Sequence, residues 1–136
     1  MENESIKFAL VLLLIDFLSL AAVIFIPEFG DFIYGMVGSE IYFFQWGILL
    51  LLGGLLVYLA LKQKVFGWLK IFLLFAGASP AGLVFFVLLH NCISALAGLE
   101  DPVSFILAVV VCPVLFIVGA TGSFYQLFIR KNGQSI

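Results

Sequence analysis

The chain has 136 residues, of which 65% are hydrophobic and only 10% charged, with a formal net charge of -2. Water-soluble domains carry about 25% charged and about 45–50% apolar residues, so too few polar groups are present here to cover a surface in water. Nucleic-acid binding, which needs a concentrated basic footprint, and a disulfide scaffold, which needs many cysteines, are excluded as well.

The remaining class is an all-α integral membrane protein. A hydrocarbon core about 30 Å thick is crossed by about 20 apolar residues of helix. Residues 6–26, 42–61, 68–90 and 103–128 meet that length, and none alternates with the period of a transmembrane barrel strand. The expected fold is a single domain over 1–136, a four-helix transmembrane bundle in up-down order with an interfacial segment between helices 1 and 2. The first span is long for a signal sequence, carries Asp16 in its middle and follows Glu2 and Glu4 rather than a basic cluster, so it is expected to stay as a helix.

The 28–41 segment interleaves Phe29, Phe32, Ile33 and Met36 with glycine, Glu28 and Asp31. It is too short to span and too apolar to float in water, and it suits the headgroup region with its apolar side chains dipping inward. Tyr42, Phe43, Phe44 and Trp46 extend an outer aromatic belt, and Trp68 marks an inner one. All six basic residues, Lys7, Lys62, Lys64, Lys70, Arg130 and Lys131, fall on one side of the four spans. By the positive-inside rule both termini are then cytoplasmic. The acids Glu28, Asp31, Glu40, Glu100 and Asp101 fall outside, where they would enrich cations locally. The tail holding Arg130 and Lys131 can rest on anionic headgroups.

Counting about 1.5 Å per residue along each span, Asp16, Gly53-Gly54, Ser79-Pro80 and Cys112-Pro113 fall within about two helical turns of one level. Pro80 and Pro113 lack an N–H and crowd the preceding turn, which predicts kinks and freed carbonyls at Ala76 and Val109. Such carbonyls must face the bundle interior or a polar cavity. Asp16 has no lysine or arginine at its depth, costs about 2.5–3.5 kcal/mol at a helix centre, and is expected to face inward and protonated. Ser79, a freed carbonyl, or Ser19 if it turns toward the acid, are its candidate partners. The candidate intramembrane polar site is therefore Asp16, Ser19, Ser79, Pro80, Cys112 and Pro113. A structural reading competes: Gly77 with Ala81, Ala78 with Gly82, and Gly119 with Ser123 are small-residue pairs that let helices approach closely.

A weaker cluster lies at the outer rim, where His90-Asn91-Cys92 is expected to end helix 3 beside Glu100 and Asp101. It lacks the paired ligand spacing of a zinc site, so no metal and no cofactor is expected. Cys92 and Cys112 sit about 15 Å apart in depth, too far for a disulfide, which needs Cα atoms within about 7 Å. One histidine cannot supply paired haem ligands, and no nucleophile–base set shares a depth. These readings point to a non-enzymatic accessory or interaction subunit within the bilayer, whose partners are lipid and either further copies or a larger membrane complex. One alternative is a small oligomeric transporter or channel with a proton or cation site at Asp16. Another is a lipid-binding protein with residues 28–41 as a lid.

Overall fold

The computed structural model describes residues 2–38, 40–63, 65 and 67–129. Lys64, Arg130 and Lys131 of the orientation argument lie outside these, as do Ser39 of the 28–41 segment and the side chain of Tyr42. Among the described residues five helices follow one another: α1 (Glu2–Phe25), α2 (Pro27–Val37), α3 (Glu40–Lys62), α4 (Trp68–Ala97) and α5 (Pro102–Ile129). α1, α3, α4 and α5 are each long and apolar enough to cross a bilayer, and no strand occurs among the described residues. The chain is an all-α, multi-pass membrane protein built as a four-helix bundle.

The breaks between helices have local causes. Ile26 is extended (φ -115°, ψ 93°) because the following proline disfavours helical geometry at that position. Pro27 then opens α2, where its missing N–H leaves nothing unsatisfied. α4 ends at Gly98, left-handed at φ 61°, whose N–H returns to the Ser94 carbonyl. α5 starts where the Asp101 carboxylate accepts from the Val103 and Ser104 N–H groups at 3.2 and 3.3 Å, an N-cap followed by proline.

α4 passes its expected end at residue 90 and continues to Ala97. His90, Asn91 and Cys92 therefore lie inside the helix and not at its terminus. Hydropathy falls off where the helix leaves hydrocarbon, whereas the backbone has no reason to stop before Gly98. Pro80 does not divide α4, which is continuous through it.

α1 packs on α3, α3 on α4, and α4 on α5. The core joins Leu10 and Leu13 of α1, Leu49 and Leu56 of α3, and Leu73 and Phe116 of α4 and α5. Lipid gives no hydrophobic drive for helix association, so close backbone approach must supply the packing. A Cβ on Gly53 would stand 2.6 Å from the Gly77 carbonyl, and one on Gly119 would collide with the main chain of Ala76 and Phe72.

The segment between the first two spans is the amphipathic helix α2. It folds back on α1 so closely that a Cβ on Gly30 would lie 2.7 Å from the Val23 carbonyl. Ile33 is half-buried, but Phe29, Phe32 and Met36 remain 39%, 61% and 66% exposed. Their edge of the helix finds no cover within the bundle, and Glu28 and Asp31 occupy another edge.

Candidate functional site

The residues expected to share one site are distributed over three helix interfaces. Asp16 and Ser19, three apart on α1, face α3. The Ser19 hydroxyl donates to the Asp16 main-chain oxygen at 3.0 Å. Gln45 of α3 donates from Nε2 to the Ser19 oxygen at 2.6 Å and to the Asp16 main-chain oxygen at 3.5 Å. The Asp16 carboxylate oxygen Oδ2 is buried and has no hydrogen-bond partner. Gln45 was not among the expected site residues; the available signal was an amide among the aromatic residues opening the second span.

Ser79 and Pro80 belong to the α3–α4 interface. The Ser79 hydroxyl donates to the Phe75 carbonyl at 2.5 Å, one residue before the carbonyl expected to be freed, so its proton is spent on its own helix. Pro80 is buried against Gly53, whose Cβ would stand 3.4 Å from the ring. By helical rise Gln45 and Gly53 lie about 12 Å apart along α3, and the Asp16 and Pro80 levels separate accordingly. Cys112 is buried between α5 and α4, its Sγ 3.1 Å from where a Cβ on Gly82 would sit.

Pro113 lies in a different environment. Ahead of it, residues Leu107–Val111 form a π-helical turn in which the Cys112 N–H reaches back to the Leu107 carbonyl. In a regular α-helix Cys112 and Pro113 would serve the carbonyls of Ala108 and Val109. The widened turn is how α5 accommodates a proline without ending.

Ala108, Val109 and Pro113 form one wall of a lateral groove of about 630 Å³ between α1 and α5. Leu14, Phe17, Leu18, Ala21, Ile24 and Phe25 of α1 form the opposite wall. Trp46 of α3 and Leu83 and Val87 of α4 make the floor, and Phe116, Ile117, Ala120 and Thr121 complete the α5 side. Only Thr121 and Trp46 bring side-chain polar atoms to this lining. Asp16 does not line it, because the groove stripe and the Asp16–Ser19 stripe lie on different faces of α1. Phe17 and Phe116, from opposite walls, stack at 4.0 Å and narrow the groove. Past them it continues toward the end that holds the chain termini along Leu14, Ala120, Thr121 and Phe124, up to where the Lys7 ammonium lies 5.3 Å from the centre of the Phe128 ring.

At the opposite end, His90 Nδ1 is 2.8 Å from the Asp101 main-chain oxygen. A carbonyl only accepts, so Nδ1 carries the proton. The ring also lies 5.6 Å from that of Phe105, which ties α4 to the start of α5. The Asp101 carboxyl is held below its ordinary 3.8, first by the Ser104 side chain and then by the capped N–H groups. Asn91, Cys92 and Glu100 are exposed. Among the described residues no three His, Cys, Asp or Glu side chains are placed to hold a metal ion. No protein family, curated protein or solved structure matches this chain.

Proposed function

We propose that this protein is a non-enzymatic accessory protein of the bilayer, which holds an apolar partner in the lateral groove between α1 and α5, with both termini cytoplasmic. The groove itself carries the reading: about 630 Å³ of nearly unbroken apolar lining, open sideways, between helices of a bundle. One polar cluster at bundle depth joins two helices. Ser19 and Gln45 fasten α1 to α3, and Ser79 binds its own helix. The lysines among the described residues, Lys7, Lys62 and Lys70, support the orientation, since all sit toward the end that holds the termini.

A photoreactive benzoylphenylalanine at Ile117, in the groove, and another at Leu51, which is 75% exposed on α3 outside it, test the reading in native membranes. Discrete adducts from position 117 that are missing from position 51 are expected. Indistinguishable adduct patterns from the two positions would sink it.

The small transporter remains a second reading on one observation, the partnerless Oδ2 of Asp16. It requires proton or cation flux into vesicles that disappears in Asp16→Asn. The accessory reading requires vesicles holding wild type and Asp16→Asn to leak alike.

A further inference from the structure

We propose that the groove holds an acyl tail of a phospholipid from the leaflet on the α2 side, headed by an ammonium group; this rests on the binding reading above and names its ligand. Length is the first argument. The walls run from Leu14 to Phe25 on α1 and from Ala108 to Thr121 on α5, about 16 and 20 Å by helical rise. One leaflet supplies about 15 Å of the hydrocarbon core, whereas a partner transmembrane helix must cross about 30 Å. The Phe17–Phe116 stack narrows the groove within its length, and the Lys7–Phe128 contact closes it where such a helix would have to continue. Ile6, Leu10 and Leu127 are buried at that same end.

Width agrees with length. A helix is about 10–12 Å across, whereas the Phe17 and Phe116 rings stand 4.0 Å apart across the groove. A flexible methylene chain has no such minimum width. It enters from the α2 side and lies with its terminal methyl toward Phe17.

Charge fixes the headgroup. The end above the groove carries Glu28, Asp31, Glu40, Glu100 and Asp101, and no lysine or arginine among the described residues, while Lys7, Lys62 and Lys70 gather at the other end. That field attracts an ethanolamine or choline ammonium and disfavours a net-negative glycerol headgroup.

Trp46 on the groove floor is a built-in reporter. Trp68→Phe, at an exposed site at the start of α4, leaves it the only tryptophan in the full-length chain. This protein is reconstituted in phosphatidylcholine vesicles holding a small mole fraction of phospholipid with a bromine-labelled acyl chain. Trp46 is expected to be quenched beyond the random-mixing value, more by bromo-phosphatidylethanolamine than by bromo-phosphatidylglycerol. Ala21→Phe and Val109→Phe, fillers from opposite walls on the α2 side of the Phe17–Phe116 stack, should each at least halve the quenching, while Leu55→Phe on α3 outside the groove leaves it unchanged.

Quenching at the random-mixing value, or unaffected by both fillers, overturns the lipid proposal. So does equal quenching by the two headgroup classes, as far as the headgroup goes. If Trp46 is unquenched while position 117 still gives a discrete protein adduct, the tail is wrong and the binding reading stands. If that adduct is a second copy of this chain, the occupant is a dimer partner. No quenching and no adduct removes both.

Discussion

At the scale of single residues, what decides is whether each polar group inside hydrocarbon has found a partner. Ser19 and Gln45 have: their 2.6 Å bond joins α1 to α3. In a double-mutant cycle with Ser19→Ala and Gln45→Leu, the coupling read from unfolding in detergent should fall at about 0.6–1.7 kcal/mol, as interhelical bonds in membranes do. Strict additivity would mean that the two side chains do not hold the helices together. Outside the spans, Asp101 gives a pH signature. Its carboxyl is held below 3.8 by Ser104 and the capped N–H groups, so the stabilisation is complete above the unfolded value of about 3.9. It is lost as pH falls through the lower folded value. Asp101→Ala should therefore flatten the acid limb of a stability–pH curve below about pH 4 and leave its slope at neutral pH unchanged; an unaltered acid limb would show that the cap is not made. The sequence displayed Asp16 as the lone acid inside a span, but not its neighbours. Depth counting treats each helix separately, and the sliding register that brings Gln45 to Ser19 is set by packing between helices.

At the scale of helices, the two glycines at the middle of α3 separate packing from propensity. Gly53 faces α4, where an added Cβ would meet the Gly77 carbonyl at 2.6 Å, while Gly54 has open space around it. Gly53→Ala should destabilise the bundle by about 1–3 kcal/mol, because rigid backbone must move. Gly54→Ala should be neutral or stabilising by about 0.5–1 kcal/mol from helix propensity alone. Thermal unfolding of the two variants side by side checks the sign difference, and equal effects would mean that α3 is rotated from this arrangement. The Gly-Gly pair stood out in the sequence by its depth alone, and all four spans were legible because about 20 apolar residues have few other uses. Which glycine meets α4 was not legible, since α3 is apolar around its whole circumference and presents no stripe to orient it. The same holds for Pro113. Its missing N–H was readable, but the π turn that absorbs it before Cys112 depends on how α5 leans on α4.

For the molecule as a whole, the bond between His90 and the Asp101 carbonyl fixes a level shared by α4 and the start of α5, and it makes orientation measurable. Cys92 is exposed and lies about 3 Å beyond His90 along α4, on the side away from the termini. Cys112 is buried against α4 and should not compete for reagent. A membrane-impermeant maleimide should therefore label Cys92 from the outside of intact cells, and Cys112 only after denaturation. Labelling of Cys92 confined to inside-out vesicles would invert the bundle, and the acidic end with its groove mouth would then face the cytoplasmic leaflet. Labelling from neither side would place Cys92 in hydrocarbon, and α4 would then have to tilt or sink so that its 30 residues fit about 30 Å of core. Labelling from the outside carries a consequence for the groove. Its open end would face the outer leaflet, so bromine-labelled lipid confined to that leaflet should quench Trp46 while the same lipid confined to the inner leaflet should not.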